Sequence, residues 1–183
     1  LLDGATVTLP TGSRAGLVGR NGTGKTTLFR LLLGEISPES GSIGFPANAR
    51  IGTVEQEAPA GPTSLIDFVL SADTERTQLM AEAETSQDGA RIGEIHARLG
   101  EIDAYSAESR AARILSGLGF DHAAQQRPLD SYSGGWRMRV ALAAVLFTEP
   151  DLLLLDEPTN YLDLEGTLWL ETYLARYPHS MIV

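Results

Sequence analysis

The stretch of this 183-residue chain richest in chemistry is Gly19-Arg-Asn21-Gly22-Thr23-Gly24-Lys25-Thr26-Thr27. Glycines at these spacings admit backbone angles that other residues avoid, so successive N–H groups can turn inward around an anion. Lys25 adds a point charge for β- and γ-phosphates, the Thr26 hydroxyl offers an oxygen to a hard cation, and Thr27 serves the α-phosphate side. The pattern GxxxxGK[ST] after a strand and before a helix is that of a phosphate loop, with the positive end of the helix on the same anion. Gly19, Asn21, Gly22, Thr23, Gly24, Lys25, Thr26 and Thr27 are the candidate phosphate-binding residues. A second constellation is Leu152-Leu-Leu-Leu155-Asp156-Glu157, an apolar run ending in two acids. A carboxylate at the end of a parallel strand faces the ligand crevice. Asp156 there suits Mg²⁺ held through water, and Glu157 suits orienting or deprotonating an attacking water.

The elements needed to position these groups are legible nearby. Ala5 to Leu9, Ala15 to Val18, Ser42 to Phe45 and Arg50 to Val54 read as short strands, and Thr26 to Leu33 as a helix capped by Gly34. Four consecutive leucines at 152–155 suggest a strand buried on both faces, as in a parallel sheet. Helices are expected over about Gly135 to Thr148 and Leu164 to Arg176, and a last strand over Ser180 to Val183. Between Thr63 and Phe120 the apolar residues fall at helical spacing: Leu65, Phe68 and Val69; Leu79, Met80 and Ala83; Ile92, Ile95, Leu99 and Ile102; Ile114, Leu115 and Leu118. This predicts a helical insertion, with ten acidic residues against four arginines between Leu65 and Arg110. The fold class is α/β: a mixed or parallel sheet core over 1–62 and 133–183, and a helical subdomain over 63–132.

Composition narrows the function. The absence of cysteine excludes disulfides, thiolate metal sites and cysteine nucleophiles. No apolar run approaches the ~20 residues that cross a bilayer, so no membrane insertion and a cytoplasmic location are expected. A net charge of −10 argues against broad binding to DNA or other nucleic acid, which depends on neutralising phosphates. Of fourteen basic residues thirteen are arginine, and the single lysine is Lys25, in the phosphate loop. The chain opens without methionine and ends inside a strand pattern, so it reads as part of something longer.

Ser133-Gly134-Gly135, followed by Trp136-Arg-Met-Arg139-Val-Ala-Leu-Ala143, resembles the signature of ATP-binding cassette (ABC) domains. The resemblance covers nearly the whole chain. It implies a P-loop NTPase of the ABC type that hydrolyses ATP with Mg²⁺ to ADP and phosphate, its helical subdomain lying between the Q-loop and the signature. Lys25, Glu157 and Gln56 are then the catalytic residues, with Gln56 as the Q-loop glutamine. Thr26, Gln56 and Asp156 serve the metal. Ser133, Gly134 and Gly135 complete the ATP site of a second ABC domain, which the full-length chain is expected to carry. Asn160-Tyr-Leu-Asp163 looks like the D-loop that crosses between the two domains. Trp136, where transporter subunits typically carry glutamine, and the run Asp156 to Glu165 resemble the ABC-F branch. Its members pair two ABC domains without a membrane domain and act on the ribosome. On that resemblance this is the first of two domains and the helical region contains an arm for the ribosome; the alternative is the ATP-binding subunit of a membrane transporter. The chain departs from the family in Tyr132, where leucine usually stands, and in an acidic arm. No switch histidine follows its last strand, and no residue is assigned to stack on adenine.

Overall fold

The computed structural model describes residues 4–20, 22–55 and 57–183. Four short strands form one sheet: β1 (Arg14–Ala15), β2 (Ile51–Thr53), β3 (Leu152–Leu154) and β4 (Ser180–Ile182). All three pairings are parallel and the order across the sheet is β1-β4-β3-β2. Parallel neighbours require long crossovers, and here the crossovers are helical. The helix α1 (Lys25–Leu32) follows β1, and α8 (Leu164–Leu174) joins β3 to β4.

The leucine run behaves as its composition dictates. Leu154 packs with Phe29 of α1 and Ile182, whereas Leu153 and Leu155 face the larger cluster on the opposite side. The alternation of β3 therefore splits one apolar run between two cores. The larger core is helical: α2 (Leu65–Ser71), α5 (Ala107–Gly117) and α7 (Gly134–Thr148) pack on one another. α7 is buried nearly all round, from Arg139 and Val140 through Phe147, because it lies between the sheet and α2 and α5. Between α2 and α5, α3 (Thr74–Thr85) and α4 (Gly89–Glu101) form a hairpin with its own small core of Ile95, Leu99 and Ala104. The ion pairs Arg91–Glu82 and Arg98–Glu75 cross that hairpin at 2.7 and 2.6 Å. α6 (His122–Gln125) then leads back towards α7.

Two expected strands carry no ladder. Residues 5–9 and 42–45 belong to no strand, and Val7, Leu9, Ile43 and Phe45 are exposed. Alternation supplies a strand's surface, but a strand forms only where another edge accepts its hydrogen bonds. β1 is also displaced from its expected span. The pairing residues are Arg14 and Ala15 rather than 15–18, while Leu17 bonds onward to the Val183 carbonyl at 2.7 Å.

Candidate functional site

The C-terminal ends of β2 and β3, with the loop that leads into α1, open into one cleft of about 1170 Å³. At the end of β1 the chain makes a tight turn in which the Thr23 amide and hydroxyl both donate to the Arg20 carbonyl. Gly19 lies against this turn, where a Cβ would meet the Thr23 Oγ1 at 2.7 Å. Gly24 takes φ +98° as the residue before α1. In that conformation a side chain would be strained, and it lets the first amides of α1 face the cleft. Lys25 Nζ donates to the Gly19 carbonyl at 2.8 Å, folding the ammonium back over the loop.

From the other side β3 delivers its two acids. Thr26 Oγ1 donates to Asp156 Oδ2 at 2.6 Å, so residues 130 apart in sequence meet at one point. Glu157 sits in the left-handed region at φ +47°, which turns its side chain away from the line of the strand. Asn160 Nδ2 donates to Glu157 Oε2 at 2.9 Å, and the Asn160 amide to the Glu157 carbonyl. Gly22, Gly24, Lys25, Thr26 and Thr27 share the cleft with Asp156 and Glu157. Asn21 and Gln56 lie outside the described residues.

The signature residues stand apart. Ser133 precedes α7 in extended conformation with its hydroxyl uncommitted to the helix, and Ser133 and Gly134 are exposed. None of Ser133, Gly134 and Gly135 lines the cleft; the part of α7 that does is Met138, Arg139 and Leu142. Tyr132 is partly buried against the core, donating its hydroxyl to the Ala124 carbonyl at 2.8 Å and standing edge-on to Phe120. A buried phenol needs such a partner, and here it has one.

One group was not legible as functional in the sequence. Arg139 is 8% exposed. Its Nε donates to the Tyr161 carbonyl at 2.6 Å, and its Nη1 pairs with Asp163 Oδ2 at 3.0 Å. Asp163 Oδ1 accepts from the Gly166 amide, which caps α8. That amide first, and then Arg139, hold the Asp163 carboxyl below the usual range. The only hint in sequence was a second arginine, after Arg137, at the point where the apolar run Val140 to Phe147 begins.

The family described as ABC transporter matches residues 2–160. "Probable ATP-binding protein YheS" of Escherichia coli (strain K12) is 48% identical over 186 residues, covering 100% of this chain and 29% of that protein. Human "ATP-binding cassette sub-family F member 3" is 45% identical over 194 residues, covering 100% of this chain and 26% of that one. The chain thus spans under a third of the length of either relative. Among solved structures, archaeal ribosome recycling factor aABCE1, in complex with the archaeal ribosomal stalk protein aP1, superposes with a TM-score of 0.63 at 24% identity. That match covers 94% of this chain and 28% of the other, and at such identity it speaks to the fold alone.

Proposed function

We propose that this chain, which belongs to the ATP-binding cassette transporter family and resembles its F branch, is one half of an ATP-driven clamp. It binds ATP in the cleft between α1 and β3, hydrolyses it when a second ABC domain closes over it, and couples that closure to the ribosome. The observation that carries the reading is the meeting of Thr26 and Asp156 at 2.6 Å beside Lys25 and Glu157. Residues 1–62 and 133–183 form the ATP-binding core and 63–132 the helical subdomain.

The donor set fits Mg²⁺. The Thr26 hydroxyl and the Asp156 carboxylate are hard oxygens side by side, and among the described residues no cluster of three or more His, Cys, Asp or Glu could cage a metal. Mg²⁺ is held in this way, by one or two protein oxygens together with substrate phosphates. Thr26 and Asp156 would hold it, with Gln56 as a further candidate, and when bound it neutralises charge growing on the phosphates. The rest is done by the chain. Loop amides and Lys25 stabilise charge on the γ-phosphate oxygens, and Glu157 orients water for in-line attack and takes its proton. The γ-phosphorus gains the water oxygen and loses its bond to the bridging oxygen, leaving ADP and phosphate. Ser133 and Gly134, both exposed, and the half-buried Gly135, all outside the lining of this cleft, serve the ATP of the partner domain. The fragment alone therefore binds nucleotide and turns it over slowly.

Among the described residues no helix is long and apolar enough to cross a membrane. Ribosome action rests on the F-branch resemblance in Trp136, Asn160 and Tyr161. The test uses full-length protein with Glu157→Gln and the same change at its counterpart in the second domain. ATP-dependent cosedimentation with ribosomes is the expected result. Intact ATP binding without ribosome association would overturn the ribosomal reading and direct attention to a membrane partner.

A further inference from the structure

We infer that Arg139, on the signature helix, is a positioning residue for Glu157 of the same chain; this rests on the reading of Glu157 as the group that activates water. The path is short and every link has a partner. Arg139 Nε holds the Tyr161 carbonyl at 2.6 Å, and its Nη1 holds Asp163 at 3.0 Å and the Leu118 carbonyl at 3.3 Å. The guanidinium lies over the Trp136 ring, 4.2 Å from its centroid, and Trp136 in turn stands edge-on to Phe120 at 5.2 Å. A planar, multidentate donor stacked on an aromatic face has few alternative positions.

What Arg139 grips is the segment that aims Glu157. The turn from 157 to 163 is pinned at its start by Asn160, whose side chain and amide both reach back to Glu157. At its end it is pinned by Asp163, which caps α8. Tyr161 lies between the two and has its carbonyl on Arg139. Glu157 itself is held at φ +47°, a conformation a non-glycine residue keeps only when its surroundings impose it. Without Arg139 the turn keeps Leu162 against the core but loses its hydrogen bonds to the interior, while Asn160 and Glu157 remain exposed and free to rearrange. The fit leaves little space for alternatives on the far side. Gly119 has φ +98°, and a Cβ there would lie 3.3 Å from Arg139 Nη1 and 3.5 Å from the Trp136 ring.

The consequence concerns rate rather than affinity. Arg139 lines the same cleft, but its hydrogen bonds go to Tyr161, Leu118 and Asp163 and none goes to the phosphate loop, Lys25 or Thr26. Disturbing Arg139 should leave ATP binding intact and misplace the base. A displacement of about 1 Å in a reacting group can cost on the order of 10²-fold in rate.

The experiment uses full-length protein in which the second domain's counterpart of Glu157 is changed to Gln, so that turnover reports this site. Arg139→Lys keeps the charge but not the fork, and Asp163→Asn keeps an N-cap but not the ion pair. Single-turnover hydrolysis and ATP affinity are measured for each, alone and combined with Glu157→Gln, alongside thermal unfolding. The expected result is that Arg139→Lys slows hydrolysis by roughly 10- to 100-fold with ATP affinity within about twofold and a near-native unfolding midpoint. Asp163→Asn should go the same way more weakly, and neither should slow the Glu157→Gln protein further. Unchanged hydrolysis would overturn the inference, as would losses that multiply with that of Glu157→Gln or that follow ATP affinity or the unfolding midpoint. Wild-type rates in the Glu157→Gln protein would instead overturn the role given to Glu157, a different signature from failure of the Arg139 link.

Discussion

Tyr173 on α8 allows a quantitative test of how the two helices flanking the site are joined. Its hydroxyl donates to the Leu146 carbonyl on α7 at 3.1 Å, and its ring stacks on Trp169 at 5.2 Å. Burial pushes its phenol up to about 12, with the charge of Glu149 adding to the effect and Arg110 and Arg113 opposing it. In the unfolded chain the same group titrates near 10. The folded state thus keeps its proton longer. The stability this gives is complete below pH ~10 and is lost as pH rises from ~10 through ~12. A two-unit difference amounts to about 2.7 kcal/mol at the limit, of which about 1.4 kcal/mol has gone by pH ~11. Tyr173→Phe removes the hydrogen bond, about 1 kcal/mol at neutral pH, and removes the titration with it. At pH ~8 the variant should therefore melt about 2–4 °C below wild type. By pH ~11.5 the order should reverse, with the curves crossing near pH ~11. Tyr177, also raised by burial, is present in both proteins and largely cancels in the comparison. The other tyrosines and the single lysine are common to both proteins and drop out of the comparison. Thermal melts by circular dichroism from pH ~8 to ~11.5 at fixed ionic strength read both arms. Parallel curves that never cross would show that the folded state does not hold this proton.

Two further outcomes bear on the site and its support. Gly117 ends α5 against the Trp169 indole, and a Cβ there would overlap the ring. Gly117→Ala should cost about 1–3 kcal/mol through overpacking, read as a lower unfolding midpoint and altered tryptophan emission, and Trp169→Leu in the same protein should recover most of it. Asp156→Asn should leave ATP binding measurable but raise the Mg²⁺ concentration for half-maximal hydrolysis by roughly 10- to 100-fold. Chelating Mg²⁺ should stop hydrolysis in wild type, and an unchanged Mg²⁺ dependence in the variant would remove Asp156 from the metal site.

The parts of the site that could be read from sequence are those whose chemistry is local. The phosphate loop is a run of neighbouring residues, and its glycines, lysine and threonines state their role by type and spacing. Asp156 and Glu157 were legible because a strand buried on both faces must be apolar until it leaves the sheet, so the first acids mark its end. The helices over 65–117 followed from apolar spacing alone. Segments 5–9 and 42–45 did not become strands, because a strand-like sequence says nothing about whether an edge is there to pair with. Arg139 was invisible for a related reason. Its partners come from two places more than twenty residues from it in the chain, Leu118 on one side and the turn of Tyr161 and Asp163 on the other, and only the packing of α7 brings them together.

The same packing gives Trp136 a physical role beside its value as a mark of the F branch. Its ring is in contact with the guanidinium of Arg139 and with the edge of Phe120. A glutamine at 136 offers no aromatic face, so Arg139 would need a different restraint in a chain that carried one. In the clamp we propose, Ser133 to Gly135 serve a partner's nucleotide; they and Arg139, which grips the turn bearing Glu157, lie within two turns of one helix. A movement of α7 on engaging a partner's phosphate would then reach Tyr161 and Asp163 directly through Arg139. The two ATP sites of the proposed clamp would be joined through the first two turns of α7, and hydrolysis at one would be sensitive to occupancy of the other.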